Sequence, residues 1–106
     1  MNLIEKKCQA CDAGTPPLSS DAAKALSAQV PEWTLHATSI ERTFRFVDFR
    51  AAIAFVNHVA ELAEAEGHHP DINIDYNKVK LQLSTHKIGG LSENDFILAA
   101  KIDQTA

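Results

Sequence analysis

Residues 72–83 read Ile-Asn-Ile-Asp-Tyr-Asn-Lys-Val-Lys-Leu-Gln-Leu, two alternating apolar and polar runs that meet at Asn77-Lys78. This pattern predicts a β-hairpin with a two-residue loop, Asn77 suiting the turn and Lys78 standing where glycine is usual. In that register Tyr76 faces Val79, Ile74 faces Leu81 and Ile72 faces Leu83, while Asp75 pairs with Lys80 and Asn73 with Gln82. One face is apolar and the other polar or charge-paired, as a half-buried antiparallel pair requires. A slip of one residue would set apolar side chains against polar ones along the whole hairpin. Carried past Pro70, the same register sets His69 opposite His86. Proline cannot donate to a ladder, so the register delivers proximity at one end of the hairpin rather than assured contact.

The remaining sequence fits around this hairpin. At 106 residues the chain is one domain with one modest core. Residues 1–18 read as a flexible arm closed by Pro16-Pro17, and residues 19–106 as the domain. Ser19 or Ser20 caps a short helix with Asp21 in its first turn and Ala22 to Gln29 as its body; Pro31 follows. Trp33 and Leu35 begin a strand, and Ala37-Thr38-Ser39 connects it to a second, in which Ile40, Phe44 and Phe46 alternate with Glu41, Thr43 and Arg45. Asp48 caps a long helix that Gly67 terminates. Along it Phe49, Ala52, Ile53, Val56, Val59, Ala60 and Ala63 form an apolar stripe that must pack on a sheet. Phe55 and Leu62 lie off its centre and either widen the stripe or form a seam with another subunit's helix. After the hairpin come a Gly89-Gly90 turn and a last helix, Glu93 to about Asp103, capped by Ser92. Hairpin followed by helix thus occurs twice. The α-ββ-α-ββ-α order predicts an α+β, two-layer domain: a four-stranded antiparallel sheet with helices packed on one face.

Composition excludes several classes of function. The chain is 45% apolar and 23% charged, and no apolar run approaches the roughly 20 residues of a membrane helix. Met1 to Gln9 lacks the apolar and small-residue segments of a secretory signal, so a cytoplasmic location is expected. A net charge of -4 without a basic run argues against direct binding to nucleic acid or to an anionic membrane. Cys8 and Cys11 form a Cys-x-x-Cys with neither the strand-then-helix context of a redox motif nor four ligands for zinc. Two reduced thiols on a mobile arm is the simpler reading; zinc completed by histidines would need the arm to fold back.

His68 and His69 follow the helix terminator and precede Pro70, which fixes the exit from the helix. Loops on rigid scaffolds favour functional side chains. Alone, His68 would do no more than sit as a partial cation at the helix C-terminus; paired with His69, and with His86 expected nearby, it marks a site. Glu64 lies one turn before His68 on the same helix face, and either bonds it or is solvated. Asp95 closes a variant capping box, Ser92-Glu93-Asn94-Asp95, and could also orient a histidine. Ser84 and Thr85 can offer backbone and hydroxyl groups to a planar ligand, Tyr76 reads as core, and His36 and His58 belong to no cluster. Three histidines without a neighbouring nucleophilic Ser or Cys and without a phosphate-binding glycine loop suggest proton transfer, for which imidazole, of ordinary pKa about 6.5, is suited near neutral pH.

Glu64, His68-His69-Pro70, Tyr76, His86 and Asp95, separated by three, five, nine and eight residues, match all seven fixed positions of a signature. In them the chain resembles the pterin-4a-carbinolamine dehydratases, densely from Trp33 to Gln104 and weakly before. The resemblance implies a lyase, specifically a hydro-lyase that dehydrates 4a-hydroxytetrahydropterins to quinonoid dihydropterins in tetrahydrobiopterin recycling, with no metal or redox cofactor. His68 and His86 would then be acids on the leaving hydroxyl and His69 would position the pterin and act as base. Ser84 and Thr85 would help bind the pterin, and Glu64 and Asp95 would orient the histidines. Family members join sheets edge to edge, and some pair those dimers through helices, so a homodimer or dimer of dimers is expected, with the strand of Ile40, Phe44 and Phe46 a candidate edge. Two other readings stand beside this one. Animal members also serve as dimerisation cofactors of a homeodomain transcription factor, which makes an interaction module of the same fold. His68, His69, His86 and a carboxylate could instead bind zinc, although adjacent histidines rarely both reach one ion.

Overall fold

The computed structural model describes residues 3–8 and 16–105. The elements are α1 (Ser20–Ser27), β1 (Thr34–Leu35), β2 (Ile40–Arg45), α2 (Phe49–Glu66), β3 (Asp71–Asp75), β4 (Lys78–Leu83) and α3 (Glu93–Thr105), with 3-10 turns at Leu3–Glu5 and His86–Ile88. The four strands form an antiparallel sheet in the order β1-β2-β4-β3, so the expected α+β architecture is the observed one.

Local chemistry sets the helix ends. The Ser19 side chain accepts the Ala22 N–H and the Asp48 side chain accepts the Ala51 N–H, each satisfying a donor that helical geometry leaves open. Gly67, at a left-handed φ of 66°, ends α2 in a conformation that only glycine adopts without strain. Between these ends α2 buries Ala52, Phe55, Val59 and Ala63. Phe55 is therefore core and not a seam between subunits: its ring lies 4.6 Å from that of Phe44 and 5.0 Å from that of Phe46. Leu62 packs against the same core. The buried line runs one step round the helix from the expected stripe, leaving Phe49 and Ala60 exposed, because Phe55 packs against the rings of Phe44 in β2 and of Phe46 just beyond it. Beneath lie Ile40, Val79, Leu81 and Leu83 of the sheet and Phe96, Ile97, Leu98 and Ile102 of α3.

The hairpin forms, but in a register displaced by two residues. Ile74 pairs with Val79, Ile72 with Leu81 and Asp75 with Lys78, so the turn residues are Tyr76 and Asn77. A shift of two leaves every side chain on its original face. Contacts to β2 select the turn: the Asn77 side-chain amide donates to the Phe46 carbonyl at 2.9 Å, and the Phe46 N–H donates to the Asn77 carbonyl at 2.8 Å. Tyr76 takes a φ of 54°, and its ring stacks on Phe49. It is 65% exposed, not core. The strand carrying Ile40 and Phe44 lies inside the sheet, between β1 and β4. The long open edge is β3, all five of its residues exposed, with Ile72 and Ile74 at 39% and 40%.

Residues 3–8, within the stretch expected to be an arm, pack onto the domain. Leu3 is buried in the core, Lys6 pairs with Glu93, and the Cys8 N–H donates to Glu66. Glu66 also holds Lys101 at 2.8 Å, and the Lys101 ammonium, then the Cys8 amide, keep its carboxyl below the usual carboxylate range. Burial, reinforced by the Glu66 carboxylate, pushes the Cys8 thiol up to about 12, so it is a protonated thiol at neutral pH. Cys11 lies outside the described residues. Pro17 closes against the other end of the site region, where a Cβ on Gly90 would stand 2.9 Å from the proline ring. Among the described residues no helix is long and apolar enough to cross a membrane.

Candidate active site

The left-handed Gly67 turns the chain out of α2, and the His68 N–H, bonded to the Ala63 carbonyl, closes the helix end. The His68 side chain is thereby aimed at the start of α3, where its Nε2 lies 2.5 Å from Asp95 Oδ1. Asp95 is fully buried, and its Oδ2 accepts the Ser92 N–H at 2.9 Å and the Thr85 hydroxyl at 3.0 Å. Asp95 thus supplies the carboxylate half of a capping box, through the Ser92 N–H, and contacts His68 with its other oxygen. Because Thr85 spends its proton on Asp95, the Ser92 hydroxyl donates to Thr85 Oγ1 across 2.7 Å. Among the described residues no buried side-chain nitrogen or oxygen lacks a partner. With Asp95 an acceptor to Ser92 and Thr85, His68 completes the set by donating Nε2–H, which leaves Nδ1 as the atom able to take or give a proton.

Glu64 bonds His69 and not His68, Oε2 to Nε2 at 2.5 Å, with both side chains exposed. Shared helix face fails as a guide here because the chain has already left helical geometry at Gly67. His86 opens the 3-10 turn that Gly89 ends at φ 66°, and Thr85 bridges to Gly90 beneath it, its N–H on the Gly90 carbonyl at 2.8 Å. The Gly-Gly stretch is thus a closed loop that presents an exposed His86. His68 and His86 flank one hydrogen bond, since Asp95 holds His68 and Thr85, the neighbour of His86, holds Asp95. The expected opposition of His69 and His86 does not follow: the ladder stops at Asp71–Gln82, and in its register Ser84 is the residue that continues towards His69.

His86, Ser84 and Thr85 line a cleft of about 330 Å³ together with Ser39, Asp71 and Gln82. Gln82 and Ser84 alternate with the buried Leu81 and Leu83, which places the cleft on the sheet face turned away from the helices. Ser39, Asp71 and Gln82 were absent from the sequence-based site, although the polar side of the hairpin alternation carried the signal for the last two. Among the described residues no group of three or more His, Cys, Asp or Glu side chains is gathered as a metal ion would need. His36 pairs with Glu41 at 2.6 Å on the sheet and His58 is exposed on α2.

The sequence model of the family described as "Pterin 4 alpha carbinolamine dehydratase" matches residues 16–105. A protein of Methylococcus capsulatus named "Putative pterin-4-alpha-carbinolamine dehydratase" is 50% identical, over 99% of this chain and 94% of its own. One of the same name from Chloroflexus aurantiacus is 58% identical, over 84% of this chain and 96% of its own. Among solved structures, a "transcriptional coactivator/pterin dehydratase" from Brucella melitensis superposes with a TM-score of 0.81 at 30% identity, covering 85% of this chain and 98% of that one. A pterin dehydratase-like protein identified as a RuBisCO assembly factor in the alpha-carboxysome reaches a TM-score of 0.57 at 26% identity, over 68% and 83%.

The Asp95 contact makes a spectroscopic prediction. Long-range proton–nitrogen correlation NMR of neutral His68 should show the Nε2–H tautomer, and Asp95→Asn should convert it to Nδ1–H, because the new amide donates to Nε2. An Nδ1–H tautomer in the unaltered protein would contradict the arrangement.

Proposed function

The chain belongs to the pterin 4 alpha carbinolamine dehydratase family, and from that premise we propose that it is a cytoplasmic hydro-lyase converting 4a-hydroxytetrahydropterin to quinonoid dihydropterin and water, in tetrahydropterin recycling. The observation that carries this reading is the pairing of buried Asp95 with His68, one hydrogen bond away from the loop that presents His86 into the cleft. Dehydration needs a proton on the departing 4a-oxygen and removal of the proton on N5. As the C4a–O bond breaks, its electron pair leaves with the water, and the N5–H pair becomes the new C4a=N5 double bond. Protonated at both nitrogens, His68 would give the proton of Nδ1 while Asp95 stabilises the imidazolium through Nε2–H. His86 would serve as the second acid. His69 would take the N5 proton, with Glu64 accepting from its Nε2–H to stabilise the charge it acquires. Ser84 and Thr85 contribute to the pterin-facing wall, and the part the histidines play in the C–O cleavage is proton transfer alone.

Replacing His86 with Ala should lower the dehydration rate by roughly the 10²–10⁴ that a positioned acid–base group supplies, with the fold intact. Full activity in a His68→Ala, His86→Ala double variant would sink the assignment.

The names of the two solved neighbours favour keeping a second reading, an interaction module on this fold, and the exposed Val47, Phe49 and Tyr76 offer it a surface. Assembly belongs to either reading. A strand edge with half-exposed Ile72 and Ile74 is one that a protein must pair or cover, and we assign the homodimer contact to β3. Sedimentation equilibrium at micromolar concentration should give at least twice the 11.6 kDa of one chain, and Ile74→Glu should halve it. A single-chain mass for the unaltered protein would refute the dimer.

A further inference from the structure

The junction of α2 and α3 encloses a second carboxylate, one that the proton transfers do not use. The side chain of Glu66, the last residue of α2, is 6% exposed, and that of its partner Lys101, on α3, is 15% exposed. Glu66 Oε2 accepts from the Lys101 ammonium at 2.8 Å, and Oε1 accepts the Cys8 N–H at 2.9 Å. An ion pair so enclosed adds little stability over two apolar side chains of the same volume, because desolvation offsets the attraction. What it adds is direction: the charge-assisted bond holds its two helices at one separation.

Direction matters here because of the residue that follows. Gly67 is left-handed, and nothing lies within 4 Å of where a Cβ would stand, so neither a side chain nor a neighbour restrains the backbone at that point. His68, on its far side, reaches across to Asp95 of α3. That attachment alone would leave the end of α2 free to pivot about it. Lys101 lies six residues beyond Asp95, roughly 9 Å along α3, so the Glu66 and His68 attachments together set the orientation of the helix end as well as its separation. Cys8 fastens the same two places again. Its N–H goes to Glu66, and its thiol, protonated at neutral pH, donates to the carbonyl of Asn94, the neighbour of Asp95, at 3.6 Å. Leu3 in the core and the Lys6–Glu93 pair hold that segment in place.

We propose that Glu66 is a positioning residue for His68: with Lys101 and Cys8 it clamps the end of α2 to α3, so that the imidazole keeps Nε2 on Asp95 and Nδ1 free for the reacting proton. The inference rests on the dehydratase reading and adds to it a residue that the cleft does not contain. It is tested with the double variant Glu66→Gln, Lys101→Met, which keeps both side-chain sizes and an acceptor for the Cys8 amide, and removes the ion pair without stranding a buried charge. The folded double variant should lose roughly ten- to a hundredfold in kcat for 4a-hydroxytetrahydropterin dehydration, the cost of a displaced reacting group, with KM little changed. Long-range proton–nitrogen correlation NMR of its neutral His68 should show both tautomers in place of Nε2–H alone, a change that a purely structural role for the ion pair would not produce. If the double variant does not fold, Glu66→Gln alone should move kcat and the tautomer in the same direction. An unchanged kcat or an unchanged tautomer in the folded variant overturns the inference and leaves the dehydratase reading standing. An unaltered protein that does not accelerate the dehydration overturns the dehydratase reading, and the inference with it.

Discussion

One buried carboxylate ties three parts of the chain together. Asp95 caps α3 through the Ser92 amide, fastens the end of β4 through the Thr85 hydroxyl, and fixes the exit of α2 through His68. A fully buried charge is tolerated only where its hydrogen bonds are complete, and this one has three donors. Removing it would leave buried donors unsatisfied, at roughly 1–3 kcal/mol each, so fold and site share the same interaction. His68 is consequently no free surface imidazole: its position and the role of each ring nitrogen follow from the packing of α3 against α2.

The surroundings reinforce that junction. Glu66, two residues before His68, is anchored by Lys101 of α3 and by the Cys8 amide. The turn of Leu3–Glu5 packs against α3, and Pro17 and the Leu18–Leu91 backbone bond hold the loop that carries Gly90. The three histidines therefore stand on supports of different rigidity. His68 is half-buried against a fully buried carboxylate, whereas His69 and His86 project from exposed loop positions. That division matches a site in which one imidazole is preset and the others meet the ligand.

Much of this was legible in the sequence because local rules acted alone there. Asp48 and Gly67 mark the ends of α2 through their own hydrogen bonds and backbone preference, and alternation in residues 72–83 assigned the faces of the hairpin. What escaped depends on distant partners. A register shift of two leaves the alternation unchanged, so only the Asn77 contacts with Phe46 could reveal it. The inward turn of Phe55 follows from Phe44 and Phe46, and the docking of Leu3 from a core that no local pattern describes. Glu64 met the wrong histidine because periodicity was carried past a left-handed residue. The far wall of the cleft joins the β1–β2 connection to β3 and β4, segments that only the sheet order brings together.

The proposal that Asp95 turns His68 into a proton donor is tested most directly by the dehydration rate of Asp95→Asn. Asparagine keeps the size of the side chain and an acceptor for the Ser92 amide, yet its NH₂ group would face His68 and place the ring proton on Nδ1. The 4a-hydroxytetrahydropterin dehydration rate of a folded Asp95→Asn protein should fall by roughly 10²–10⁴. An unreduced rate, in a variant whose His68 tautomer had changed, would contradict the role assigned to the pair.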